Sequence, residues 1–198
     1  MLCAMPAPED LAAWRRAQRN TLLARRMALK PELRAQYQAT ITATLLAHFL
    51  PAPDTVVALY WPFKAEFDPR HVVHHWRERG VRSVLPVVLA KAQPLQFREW
   101  WPGVATRPGV FDLPVPQDTA VLVPDLILMP PIGFDAQCFR LGYGGGYYDR
   151  TLADLRGRKV QRIGVGFELG RIDTIHPQNY DIPMDLVVTE AGVFRPQK

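Results

Sequence analysis

Arg140-Leu141-Gly142-Tyr143-Gly144-Gly145-Gly146-Tyr147-Tyr148-Asp149-Arg150 is the stretch on which the reading of this chain turns. Four glycines in five positions carry a high conformational-entropy cost, and bulky aromatics and charges follow at once where a flexible linker would carry serines. Such a run lets backbone come close to something. Upstream, Leu126-Ile127-Leu128-Met129 reads as a buried strand; downstream, Tyr148-Asp149-Arg150-Thr151-Leu152 can open a helix. A glycine loop between strand and helix offers backbone N–H groups and a positive helix end to an anion, most commonly a phosphate. The two best-known nucleotide signatures are absent: there is no P-loop, and Tyr147 stands where G-x-G-x-x-G needs its third glycine. On its own the loop reads equally well as a tight turn.

Working outward, helices and strands alternate. Glu9-Asp10 open a helix running to about Leu29, with Arg15, Arg19 and Arg26 on one face, a spacing that by itself reads as a solvated stripe. A second helix follows Pro31, its core stripe Leu33, Tyr37, Ile41, Leu45 and Phe49. Residues 55–60 read as a buried strand. Asp68-Pro69 start a third helix as N-cap and first position, and Gly80 closes it. Strands are expected at 81–88, 95–100, 125–129, 161–167 and 185–189, with a proline-punctuated connection from Trp101 to Pro124. This order predicts a single domain over residues 1–198. The fold is a three-layer α/β/α sandwich, Rossmann-like, with a mostly parallel, mixed central sheet and ligands at the strand C-termini.

Composition narrows the function classes. At 48% hydrophobic residues the chain is an ordinary globular one. No stretch approaches the roughly 18 apolar residues of a membrane span, and the N-terminus lacks a signal-peptide core, so a cytoplasmic protein is expected. Cys3 and Cys138 make neither a disulfide framework nor a metal pattern, and Cys138 reads as a small filler. The formal net charge is +5, much of it from Arg15, Arg16, Arg19, Arg25, Arg26 and Lys30. No nucleic-acid signature accompanies it, and a pocket for a polyanionic small molecule explains it as well. His71, His74 and His75 cluster on the third helix at a spacing that can hold a metal, but Val72 and Val73 and the lack of an H-E-x-x-H arrangement favour packing. The loop Tyr60-Trp61-Pro62-Phe63-Lys64-Ala65-Glu66-Phe67-Asp68 leaves the first strand at its C-terminal end. An aromatic wall with one acid suits a flat heterocycle with ring N–H donors; a loop anchored by its own aromatics is the other reading.

Together these segments resemble the 5-formyltetrahydrofolate cyclo-ligase family, also called 5,10-methenyltetrahydrofolate synthetase. The resemblance covers nearly the whole chain. It runs through the N-terminal arginine helix, the strand and loop from Tyr60 to Asp68, Pro124-Asp125-Leu126-Ile127-Leu128-Met129-Pro130 and Gly133-Phe134-Asp135. It continues through Arg140 to Arg150, Tyr180-Asp181-Ile182-Pro183-Met184-Asp185 and Val187-Val188-Thr189-Glu190. It implies ATP- and Mg²⁺-dependent cyclisation of 5-formyltetrahydrofolate to 5,10-methenyltetrahydrofolate, with release of ADP and phosphate through a phosphorylated formyl intermediate. No protein nucleophile is needed, and positioning and charge neutralisation are the expected equipment.

Carried over by residue, Arg15, Arg19 and Arg140-Leu141-Gly142-Tyr143-Gly144-Gly145-Gly146-Tyr147-Tyr148 match the ATP site. Trp61 and Glu66 match the folate loop, joined by Tyr143, Gly144, Gly145, Gly146 and Tyr147. Arg140, Tyr148 and Asp149 stand nearest the chemistry, and Asp149 and Asp181 match the acids assigned to Mg²⁺, with Asp185 a further candidate to assist. The chain departs from some members, which carry Arg and Lys where it has Tyr143 and Gly145. It also has Gln178 where an acid is frequent, and Phe111-Asp112-Leu113-Pro114-Val115-Pro116 in place of a Gly-x-x-Glu-Pro type. The expected partners are the two small-molecule substrates, met by a monomer with no membrane and no nucleic acid. A folate-binding relative without turnover, and a basic RNA-binding module, remain as alternatives. Retention of Arg15, Arg19, Asp149 and Asp181 speaks against a pure binder, and charge alone carries the RNA reading.

Overall fold

The computed structural model describes residues 7–197; Cys3 lies outside the described residues. Asp10 caps the first helix, its carboxylate accepting from Ala13 N at 2.8 Å, so α1 runs Leu11–Met27. Lys30 and Pro31 then set up α2, Pro31–His48, with the proline at its first position where no donor is lost. Ile41 and Leu45 of the expected stripe are fully buried, whereas Leu33 at the open end of the helix is exposed.

The strands are β1 (Val56–Ala58), β2 (Arg82–Val88), β3 (Leu95–Glu99), β6 (Leu126–Met129), β9 (Gln161–Val165), β10 (Leu186–Thr189) and β11 (Gly192–Phe194) in the main sheet. Two small hairpins complete the set: β4 (Thr106–Pro108) with β5 (Pro114–Pro116), and β7 (Gly133–Phe134) with β8 (Arg140–Leu141). The seven-stranded sheet has the order β11-β10-β9-β6-β1-β2-β3. Its five inner strands are parallel and each edge strand is antiparallel to its neighbour. This is the expected mixed, mostly parallel sheet. β6 and β10 are buried at every position, as strands covered on both faces must be.

Side-chain alternation sorts the core into two layers. Val57, Leu126, Leu128, Leu186 and Val188 pack with Ile41 and Leu45 of α2 and with Val72, Val73 and Trp76 of α3, Arg70–Arg77. Ala58, Ile127, Met129 and Val187 face the other way, toward Phe134, Cys138 and Leu152, the last on α4, Tyr147–Asp154. α3 begins one residue later than expected. Pro69 is its cap, Asp68 accepts from Arg70 N at 3.0 Å, and Gly80, at φ +89, turns the chain just past the helix end at Glu78.

Two expectations need correction. The proline-punctuated connection from Trp101 to Pro124 is more than a connection, because residues 106–116 fold into the β4–β5 hairpin. The glycine loop does not follow β6 directly either: the β7–β8 hairpin intervenes and hands the chain to the loop from β8. Asp135 holds this insertion together. Its carboxylate accepts from Gln137 N and Phe139 N within the hairpin turn and from Ile175 N on a distant segment, all at 3.0–3.1 Å. From β1 the chain proceeds to β2 on one side, and from β6 to β9 on the other. β1 and β6 are therefore neighbours at the point where the winding reverses, where open α/β sheets form a crevice at the strand C-termini.

Candidate functional site

A cavity of about 1300 Å³ opens at that reversal point. The loop after β1 brings Trp61 and Glu66, the chain after β8 brings the glycine run, α1 lays Arg15 and Arg19 across the top, and the segment before β10 brings Asp181. Every residue assigned to a site from sequence lines it, Arg140, Leu141, Gly142, Tyr143, Gly144, Gly145, Gly146, Tyr147, Tyr148 and Asp149 included.

At one end the glycine loop meets the arginines. Gly144 at φ +93 and Gly146 at φ +65 occupy left-handed backbone that disfavours a side chain, and Gly146 is the cap from which α4 starts. A Cβ at Gly144 would also lie 3.3 Å from the Arg19 guanidinium carbon. Arg19 Nε donates to Gly142 O at 2.7 Å, and Arg150 braces the far side through two 3.0 Å bonds to Gly145 O. The loop's carbonyls are thus held by arginines while its glycines line the cavity beside the α4 N-terminus. Burial, with Arg15 and Arg16 close by, pulls the Arg19 pKa below its ordinary value.

The solvated-face reading of the α1 arginines is wrong for Arg15 and Arg26, both of which are buried. Arg15 donates to Ile175 O at 3.1 Å, to His176 O at 2.8 Å and to Asp181 Oδ2 at 2.6 Å. Arg140, also buried, donates to Asp149 Oδ2 at 2.8 Å and lies 5.2 Å from the centre of the Tyr148 ring. Burial pushes the Tyr148 phenol well up, so it stays neutral.

Asp149 Oδ1 accepts from Ile182 N at 3.2 Å, which places this carboxylate beside the Asp181–Ile182 peptide. Two segments far apart in sequence thereby bring two carboxylates to one wall. Hard oxygen donors in that number fit a cation that completes its shell with phosphate and water oxygens, as Mg²⁺ does. Among the described residues no group of three or more His, Cys, Asp or Glu could hold a metal on protein ligands alone. Asp185 does not assist: its carboxylate accepts from Arg162 N at 2.7 Å and pairs with the Arg162 guanidinium at the start of β10, outside the cavity. His74 and His75 are more than a third exposed and lie near Glu78, so the histidine cluster is a helix surface. Cys138 is buried and its thiol is pushed up to about 11 by burial, in keeping with a filler.

At the other end the wall is aromatic. Trp61 packs edge-on against Trp100 and carries Arg70 over its ring at 4.4 Å. Glu66 is 8% exposed, and its Oε2 accepts from Phe63 N at 2.9 Å while Oε1 accepts from Tyr143 Oη at 2.9 Å. Burial raises the Glu66 pKa above the usual carboxylate value, although Arg26, 3.5 Å away, and these hydrogen bonds oppose it. Arg26 itself donates to Lys64 O at 3.0 Å and to Tyr143 Oη at 2.9 Å. Sequence reasoning noted Arg26 but gave it no part in the site. Its signal was the spacing from Arg15 and Arg19 on the face of α1 that turns out to cover the cavity. Val110, Leu113 and Val115 of the β4–β5 hairpin also line the cavity and were missed with the hairpin.

The profile of the 5-formyltetrahydrofolate cyclo-ligase family matches residues 11–190. The 5-formyltetrahydrofolate cyclo-ligase of Escherichia coli (strain K12) is 27% identical over 176 residues, covering 86% of this chain and 97% of that protein. Its counterpart from Mycolicibacterium smegmatis is 33% identical over 141 residues, covering 67% of this chain and 72% of its own. Among solved structures, the 5,10-methenyltetrahydrofolate synthetase of Mycoplasma pneumoniae matches with a TM-score of 0.73 at 26% identity, over 89% of this chain and 98% of that one. The Aquifex aeolicus 5,10-methenyltetrahydrofolate synthetase matches with a TM-score of 0.78 at 27% identity, over 93% of each chain. With the match spanning residues 11–190, the chain belongs to the 5-formyltetrahydrofolate cyclo-ligase family.

Proposed function

We propose that this chain cyclises 5-formyltetrahydrofolate to 5,10-methenyltetrahydrofolate at the expense of ATP, with Mg²⁺, releasing ADP and phosphate. One observation carries the reading: a single cavity joins a glycine loop flanked by Arg15, Arg19 and Arg140 to an aromatic wall whose one carboxylate is Glu66. A folate binder without turnover needs only the second half, and an RNA-binding module needs neither.

In the reaction the formyl oxygen on N5 attacks the γ-phosphorus and ADP departs. N10 then attacks the activated formyl carbon, loses its proton, and phosphate leaves with the former formyl oxygen. The protein supplies positioning and charge. The glycine loop and the α4 N-terminus offer backbone N–H groups to the phosphates, and Arg15, Arg19 and Arg140 neutralise them. Asp149 and Asp181, which both line the cavity, would hold Mg²⁺, and the ion would supply charge neutralisation for the phosphates. Glu66 accepts from pterin ring N–H groups and fixes the ring's orientation, with Trp61 as a side wall. The monomeric state and the cytoplasm belong to the same proposal; no described helix is long and apolar enough to cross a membrane.

The test is to mix the protein with 5-formyltetrahydrofolate and Mg-ATP and follow the methenyl product by its near-ultraviolet absorbance. Product that requires both substrates supports the reading. Tight folate binding without product supports the non-catalytic relative.

A further inference from the structure

Glu66 is already hydrogen-bonded on both oxygens by the protein's own groups. Phe63 N–H donates to Oε2 and the Tyr143 hydroxyl to Oε1, each at 2.9 Å. The first bond is local and holds the loop. The second crosses the cavity, from the glycine loop to the loop after β1, and it uses the same carboxylate that the proposed chemistry needs for ring N–H donors.

Tyr143 is placed to leave. It is 43% exposed although its hydroxyl is engaged, so the ring has solvent to move into. It stands between Gly142 and Gly144, the latter at φ +93, in backbone with unusual freedom. Its ring meets Phe63 only obliquely, with centroids 5.9 Å apart. Arg26 is placed to stay: it is 5% exposed and tied to Lys64 O. Its Nη2 now donates to Tyr143 Oη at 2.9 Å while lying 3.5 Å from Glu66 Oε1. Removal of the tyrosine hydroxyl therefore leaves Arg26 free to turn that donor onto Glu66, so the carboxylate keeps a counter-charge.

We propose that the Tyr143 hydroxyl is an internal stand-in for a ring N–H of the pterin, capping Glu66 until folate binds and displaces it. The inference rests on the reading of Glu66 as the folate acceptor. It gives Tyr143 a role opposite in sign to that of a direct substrate contact, because the hydroxyl competes with the ligand.

The experiment is a calorimetric titration of 5-formyltetrahydrofolate without nucleotide into the wild type, Tyr143→Phe, Glu66→Gln and the double variant. Tyr143→Phe is expected to bind folate about tenfold more tightly, the effect of removing one competing hydrogen bond to a charged group. In the Glu66→Gln background the same change should do far less, since the competition is for the ionised carboxylate. Tyr143→Leu should move affinity in the same direction as Tyr143→Phe, and an unchanged thermal midpoint certifies the fold. Weaker or unchanged binding by Tyr143→Phe, with Glu66→Gln weakening it, overturns the stand-in alone and makes Tyr143 a direct contact or a bystander. If Glu66→Gln leaves folate affinity untouched, the acceptor reading and the stand-in fall together.

Discussion

The two ends of the cavity handle charge differently. At the phosphate end each carboxylate has a close guanidinium, Asp181 with Arg15 at 2.6 Å and Asp149 with Arg140 at 2.8 Å. At the folate end Glu66 has its arginine at 3.5 Å, is buried, and has its pKa raised by that burial. On the proposed reading the phosphate end is a set of matched pairs that a polyanion and a cation would enter together by exchange of partners, phosphates taking the arginines and the metal the acids. The folate end has one carboxylate, already held by the Phe63 N–H, the Tyr143 hydroxyl and Arg26, and its worth to a ring donor depends on its staying ionised. One end holds two carboxylates, each with its own arginine; the other rests on a single carboxylate.

The largest break in this contrast should come from Arg140. Arg140→Ala removes the buried partner of Asp149 and a cation beside the proposed phosphate path, and loss of such a charge-stabilising donor lowers turnover by roughly 10²–10³. Steady-state kinetics should place the loss mainly in kcat.

Next in size is Glu66→Gln. Folate binding should weaken by roughly 1.5–3 kcal/mol, about ten- to 150-fold, while Mg-ATP affinity changes little. Separate titrations of the two ligands check this, and equal loss of both would show that Glu66 only holds the loop. The same residue predicts a pH effect. Its raised pKa means that the acceptor is intact above that value and is lost as pH falls through it, at a pH higher than for an ordinary glutamate. Folate binding should decline on that limb, and the limb should vanish in Glu66→Gln.

Much of this was legible in the sequence, and the limits have physical causes. The helices and inner strands announced themselves through periodicity, as with Ile41 and Leu45 on α2 or the unbroken apolar run of β6. β7 and β8 did not, because two-residue strands have no period to read. β4 and β5 were hidden by Pro108, Pro114 and Pro116, which ordinarily argue against a strand and are accommodated in a two-stranded hairpin outside the main sheet. The glycine loop stood out by residue type and the two aspartates through the family resemblance, so the phosphate end was visible in outline. The meeting of Arg26, Glu66 and Tyr143 joins three distant segments and left no local trace.

Smaller effects sharpen the metal assignment. Asp149→Asn and Asp181→Asn should each raise the Mg²⁺ concentration needed for half-maximal turnover, by about tenfold for the loss of one charged ligand worth some 1.4 kcal/mol. Folate binding without nucleotide should survive in both. Asp185→Asn, whose carboxylate serves Arg162, should leave the Mg²⁺ requirement where it is and cost at most about 1 kcal/mol of stability in denaturant unfolding.

The central claim is that phosphoryl transfer and ring closure occur in one cavity as successive steps on one substrate. A single-turnover experiment tests it most directly, with enzyme in excess over 5-formyltetrahydrofolate and Mg-ATP present, following ADP and the methenyl product together. The account predicts one ADP for each methenyl product and no ADP when the folate is omitted. ADP formed at the same rate without folate, or methenyl product formed without ADP, would contradict it.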